Sequence, residues 1–183
     1  MGREPVTSKY IEVRESAIHG TGVFARIKVP KGTKVIEYIG EKITKKESER
    51  RSIALIEKNH GSETDGAVYI FEVNKHRDID GNIPENTARF INHSCEPNCE
   101  PEVIKSHVWL ISTRKIKEGE ELSYNYGFDL DGYEDHECKC GAKKCVGYIT
   151  AEDNWPKLKK LIAKKKAKKA DKGKKKSKKK AKK

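Results

Sequence analysis

Three cysteines close together offer the clearest chemistry in this chain. Cys138, Cys140 and Cys145 stand at Cys-x-Cys-x4-Cys spacing, and Gly141 lets the backbone fold back between them. Three thiolates leave a tetrahedral zinc one ligand short. The fourth must come from Cys95, Cys99 or a histidine elsewhere, and whichever supplies it ties this segment to the rest of the chain. Lys139, Lys143 and Lys144 suit a four-thiolate zinc site, whose net charge is negative.

A second concentration of reactive side chains is Arg89-Phe-Ile-Asn92-His93-Ser-Cys95-Glu-Pro-Asn-Cys99, where an apolar run meets amide, imidazole, hydroxyl and thiol groups in succession. Glu120-Glu-Leu-Ser-Tyr124-Asn-Tyr126-Gly127 ends a strand-like run with tyrosines two residues apart, so alternation puts both hydroxyls on one face. Ile18-His19-Gly20-Thr21-Gly22-Val-Phe24 is a paired-glycine turn entering a strand, suited to close approach of backbone and ligand. It is not a dinucleotide fingerprint, because it lacks a third glycine and a following helix.

The elements that must position these groups are mostly short strands. Alternating or apolar runs at Tyr10 to Arg14, Val23 to Lys28, Lys34 to Ile39, Ala67 to Asn74, Val108 to Thr113 and Glu121 to Asn125 are separated by Gly, Pro and Asn. The ordered body is expected to begin near Tyr10. Thr44 followed by Glu47 forms a capping-box signature for a helix over Lys45 to His60, with Gly61 as its stop. A second helix is expected from Pro156, with Asp153 or Asn154 as cap and Leu158, Leu161 and Ile162 on one face.

Composition adds constraints. The 183 residues are enough for one domain with a core, and the net charge of +12 is concentrated at one end. Lys157 to Lys183 hold 17 lysines against one aspartate, leaving the remaining body slightly acidic. Past Ala163 no apolar face exists, so disorder is expected there. Five cysteines, an odd number, suggest a reducing compartment, and no stretch is long and apolar enough to cross a bilayer.

In order and spacing, HGTGVF, VIEYIGE, VYIFEV, RFINHSCEPNC, GEELSYNYGF and CKCGAKKC, spread over about Tyr10 to Ile149, resemble the SET-domain methyltransferases with a cysteine-rich post-SET segment. The resemblance is closest to the mixed-lineage-leukaemia and yeast COMPASS type. It implies a mainly β fold with short helices and a pseudoknot, RFINHSC lying beneath the segment of Tyr124 and Tyr126. It implies an S-adenosylmethionine site on His19, Gly20, Thr21, Gly22 and Tyr69, with Asn92 and His93 beside the adenosyl part and Arg89 grouped with them. Cys95 becomes the fourth structural zinc ligand with Cys138, Cys140 and Cys145, and Cys99 is a spare thiol. Tyr126 is implied as the catalytic tyrosine, Tyr38 as the opposite wall of the lysine channel, and Tyr124 as the residue limiting the product to mono- or dimethyl-lysine. No cysteine precedes Cys95, so the pre-SET zinc cluster of some relatives is absent.

The expected organisation is an extension at 1–9, a SET domain at 10–128, a post-SET zinc segment at 129–150, a short helix at 151–163 and a disordered polylysine tail at 164–183. The expected activity is lysine N-methylation of a basic, histone-like protein by a monomer whose tail binds nucleic acid. The alternative is a non-catalytic chromatin-binding module on the same scaffold, and the tail is also a candidate for self-methylation. The expected compartment is intracellular: nuclear or chromosomal in a eukaryote, cytoplasmic or exported as an effector in a bacterium.

Overall fold

The computed structural model describes residues 4–59 and 69–180. Four small sheets make up most of it, with no large continuous sheet among the described residues. β1 (Ile11–Glu15) and β2 (Thr21–Ala25) form an antiparallel hairpin. β3 (Lys34–Tyr38), β8 (Cys99–Ile104) and β9 (His107–Ser112) form a sheet with β9 in the middle, and β4 (Glu41–Thr44), β5 (Ile70–Asn74) and β6 (Arg77–Asp80) form another with β6 in the middle. The fourth pairs β7 (Asn92–His93) with β10 (Ser123–Tyr124) in parallel, Asn92 opposite Ser123 and His93 opposite Tyr124. This last pairing joins two of the chemically dense segments, as the pseudoknot reading requires.

Val23, Val35, Ile36, Ile91, Leu110 and Leu122 are fully or almost fully buried in one core where the small sheets meet. Each such side chain contributes roughly 1.5–3 kcal/mol by leaving water. Tyr38, Tyr124 and Cys99 belong to the same core, so the site's floor is part of the stabilising interior.

Helix α1 (Lys45–Asn59) begins where the capping signature places it, with the Glu47 N–H donating to Thr44 Oγ1 at 3.2 Å. The reciprocal half of the box is replaced, because the Glu47 carboxylate instead takes Arg50 and Arg51. Arg51 also reaches Glu41 and Asp80 at 2.8 and 2.6 Å, fastening α1 to β4 and β6. His60, Gly61, Ala67 and Val68 lie outside the described residues.

Several strands differ from the sequence expectation. β2 starts at Thr21 and ends at Ala25, because Arg26 to Lys28 are exposed, and the run at Glu121 narrows to Ser123–Tyr124. β4, β6 and β8 carry too many charged residues to stand out by hydrophobic pattern. Helix α2 spans Trp155–Lys180, continuing past Ala163 in place of the disordered stretch expected from composition. Lysine and alanine are strong helix formers, so the backbone ladder persists where there is no apolar face to bury. Among the described residues no helix is long and apolar enough to cross a membrane.

Candidate active site and metal centre

The turn between β1 and β2 is held by one amide. Ser16 N–H donates to Gly20 O at 2.8 Å to close the loop, and Gly20 adopts φ +46° with open space around it. Asn92 Nδ2, on β7, lies 3.2 Å from both His19 O and Thr21 O, 3.1 Å from Ser16 Oγ and 2.9 Å from Glu121 Oε1. His19, Gly20, Thr21, Gly22 and Asn92 therefore come together. Gly22 has a packing reason to be glycine: a methyl built there would stand 2.6 Å from Glu121 Oε1 and 2.8 Å from Ser16 Cβ.

Beside this loop runs a chain of aromatic rings, Tyr38, Phe71, Tyr124, Tyr126 and Phe128, with successive centroids 4.7, 5.5, 4.8 and 5.7 Å apart. Tyr126 donates its hydroxyl to Ile91 O at 3.0 Å, and its N–H reaches His93 Nδ1 at 3.2 Å. Tyr38 donates to Tyr69 O at 2.8 Å. The Tyr124 hydroxyl makes no hydrogen bond among the described residues, though its ring is buried.

Burial raises the pKa of Tyr38, Tyr124 and Tyr126 above the ordinary phenol value. Mutual repulsion adds to this: Tyr126 raises Tyr38, and Tyr69 raises all three. All three remain neutral phenols at physiological pH. His93 is held down at about 4 by burial, so its ring is neutral. Because Nδ1 accepts from Tyr126, the proton sits on Nε2, 3.6 Å from Cys95 Sγ.

The structure selects Cys95 from the candidates for the fourth thiol. Sulfurs of Cys95, Cys138, Cys140 and Cys145 all lie within 4.8 Å of one another, and Cys95 and Cys138 are 3.8 Å apart. A tetrahedral zinc with bonds of about 2.3 Å sets its sulfurs about 3.8 Å apart, so the residues fit such an ion. Cys99 lies apart in the core, its thiol pushed up to about 12 by burial.

Local geometry prepares the cluster. Gly141 and Gly147 take positive φ at its turns, Cys138 N–H bonds Gly147 O, and N–H groups of Cys95 and Gly147 point at the sulfurs of Cys140 and Cys145. Burial lifts the Cys95 thiol to about 11, and nearby Cys140 adds to the lift. Burial would also raise Cys140, but N–H groups of Cys95 and Ala142 outweigh it and hold that thiol at about 7. A bound dication reverses the repulsion among the thiolates. Lys144 fastens the outer turn, its N–H 3.1 Å from Glu96 Oε2.

Two expected residues sit differently from the rest. Arg89 contacts Asn82 at 3.5 Å and the Phe90 ring, and its buried Nε has no partner among the described residues. Tyr69 contributes its carbonyl to Tyr38 and Gly81. Sequence reasoning missed Ser16, Glu121, Phe71 and Phe128. Such residues carry no spacing signal of their own; the fold brings them to Asn92 and the tyrosine rings from separate elements.

Residues 20–127, more than half of the chain, match the family described as SET domain. The chain is also 37% identical over 145 residues to histone-lysine N-methyltransferase set-2 of Caenorhabditis elegans, covering 77% of this chain and 9% of that protein. It is 38% identical over 141 residues to histone-lysine N-methyltransferase 2D of Homo sapiens, covering 74% and 2%. Against the H3 lysine-4 specific histone-lysine N-methyltransferase of Schizosaccharomyces pombe it is 38% identical over 145 residues, covering 77% and 15%. The chain thus spans a small part of the length of these relatives. The paired β7 and β10, the tyrosines at and just after the end of β10 and the matched stretch lead to one assignment: the chain belongs to the SET-domain family.

Proposed function

We propose that this chain is a protein-lysine N-methyltransferase that uses S-adenosylmethionine and acts on a basic, histone-like protein. The observation that carries this reading is the pair of neutral tyrosines, the buried Tyr124 and the half-buried Tyr126, whose N–H reaches His93, itself next to Cys95 of the four-cysteine cluster. The relatives, histone-lysine N-methyltransferases, support the substrate class.

When bound, the donor supplies an electrophilic methyl group on a sulfonium sulfur, which an amine takes in line as the carbon–sulfur bond breaks. The residues fit such a group: the Asn92 loop is open at Gly20, and the neutral His93 and Phe128 rings adjoin it through Tyr126. Zinc on Cys95, Cys138, Cys140 and Cys145 would fasten residues 129–150 as a flap.

The attacking lysine must be neutral, although its pKa in water is about 10.4. An aromatic channel lowers that value by desolvation. Tyr126 cannot act as the base, because burial holds its own proton more tightly than free phenol does. Its role is to orient: with its proton committed to Ile91 O, the hydroxyl oxygen presents lone pairs toward the channel. The amine proton therefore leaves to water. The unpaired Tyr124 hydroxyl can hold a water in the space a bulkier methylated amine requires, which favours mono- and dimethylation.

Intact-mass measurement with core histones and donor tests the reading. Gains of about 14 Da per methyl (one carbon and two hydrogens), lost in Tyr126→Phe, are expected, with Tyr124→Phe shifting product toward trimethyl-lysine. No gain on any basic substrate, despite measured donor binding, would overturn it, and trimethyl-lysine from the unaltered chain would overturn the assigned product count.

The lysine-rich segment 164–183 is proposed to hold nucleic acid at chromatin. DNA affinity should fall with rising salt and vanish on deleting 164–183, since each phosphate contact releases counterions. Salt-independent affinity would exclude this role.

A further inference from the structure

Resting on the methyl-transfer reading, we infer that Glu121 is a positioning residue for donor binding: its carboxylate fixes the Asn92 amide so that the Asn92 carbonyl oxygen faces the donor site.

The orientation of Asn92 follows from its neighbours. Its Nδ2 lies within 3.2 Å of four oxygens: His19 O, Thr21 O, Ser16 Oγ and Glu121 Oε1. The first two are carbonyls, and the carboxylate is acceptor-only when ionised. The Ser16 hydroxyl gives its own proton to Glu121 Oε1 at 2.7 Å, leaving its lone pairs for Asn92 and for the Ile18 N–H at 2.9 Å. All four are thus acceptors. A flipped amide would set Oδ1 against four oxygens, so the carbonyl must point away, and among the described residues it receives no donor. It stays available for an N–H group, of which the amino-acid part of the donor carries one.

Glu121 is the anchor of this arrangement. One of its oxygens receives both the Asn92 amide and the Ser16 hydroxyl, joining the β1–β2 turn, β7 and the residues leading into β10. The backbone holds the carboxylate in place: Phe24 and Glu121 form an antiparallel bridge, and Leu122 N–H donates to Val23 O at 2.8 Å. The absence of a side chain at Gly22 leaves the space the carboxylate occupies. Without the carboxylate, the Asn92 nitrogen loses its charged partner and the turn loses the Ser16 link to β10. The turn backbone and the Asn92 carbonyl then share their positions with alternatives.

Titration calorimetry of the full, zinc-loaded chain with S-adenosylhomocysteine tests this without catalysis. Glu121→Ala is expected to weaken binding about tenfold or more, the scale of a hydrogen-bonding group left without its partner oxygen. Glu121→Gln, which keeps the accepting oxygen, should remain within about threefold, and Ser16→Ala should lose about threefold. Zinc content and the KM for a lysine peptide at saturating donor should not move. Equal binding by wild type and Glu121→Ala overturns the inference. So does a Gln variant as weak as Ala, which would mean that the charge itself contacts the ligand. If Glu121→Ala does not fold, unchanged binding by Ser16→Ala overturns it. Wild type that binds no S-adenosylhomocysteine would instead defeat the methyl-transfer reading.

Discussion

Around Asn92 and Tyr124 the site is held by an apolar core and hydrogen bonds that reach far along the chain, whereas residues 129–150 have little interior of their own. The first region places Tyr38, Ile91, Leu122 and Tyr124 in one buried cluster and clamps β10 to the loop after β7 through Asn98, whose amide spans Glu121 O and Ser123 N at 2.7 and 2.9 Å. In the second region only Tyr133 and Thr150 are buried. It is otherwise tied down by a few hydrogen bonds, among them Thr150 Oγ1–H to Phe128 O at 2.8 Å, and by the thiols converging with Cys95. A segment with so little apolar burial cannot offset its ordering entropy by packing alone. The floor therefore depends on the fold, whereas residues 129–150 would depend on a metal held by the four thiols.

The largest effect should come from taking that metal away. Chelation, or Cys138→Ser, is expected to reduce methyl transfer about a thousand-fold, since a structural zinc commonly holds on the order of 10 kcal/mol of folding free energy. The thermal unfolding of the β core should change much less. Mass spectrometry for activity and calorimetry for unfolding separate the two readouts. A core that melts together with the loss of zinc would erase the distinction between the regions.

A substitution in the floor should behave in the opposite way. A methyl built on Gly81 would overlap the Tyr38 ring and hydroxyl and come 2.5 Å from Asn86 Nδ2. Tyr38 is 2% exposed and Asn86 fully buried, so neither can move aside. Gly81→Ala is expected to cost about 3 kcal/mol, the upper range for overpacking a core, while zinc content stays at one per folded chain. Denaturant unfolding measures the first, and metal analysis of the folded fraction measures the second.

These two regions were not equally legible in the sequence. The cysteine cluster announces itself, because thiols at Cys-x-Cys-x4-Cys spacing are close in space whatever surrounds them; the identity of the fourth ligand needed the resemblance or the coordinates. The tyrosine pair was visible by alternation, but what fixes it was not. Ser16 and Glu121 are 105 residues apart, and no local pattern predicts that they share a proton. The β8–β9 turn was similarly hidden: Lys105 and Ser106 both adopt positive φ, a conformation normally signalled by Asn-Gly. At α2 the helical backbone runs on past Ala163, where lysine and alanine propensity is the only sequence signal left.

The remaining way to sharpen the comparison is alkaline pH, which should strike the floor through its phenols. Burial raises the pKa of Tyr38, Tyr124 and Tyr126, so the folded chain keeps their protons where an unfolded chain, with phenols near 10, gives them up. A raised folded value means stability is fully present below the unfolded pKa and is lost as pH climbs from there toward the folded value. Above about pH 10 each of these tyrosines should therefore remove about 1.4 kcal/mol per pH unit, and the three together about 4.1. Denaturant midpoints measured from pH 9 to 12 give the slope. Tyr124→Phe should shallow it by about a third, because phenylalanine has no proton to lose in either state. An unchanged slope in that variant would mean that the Tyr124 hydroxyl reaches solvent and ionises in the folded chain, and the channel floor would then be wetter than the packing of its rings implies.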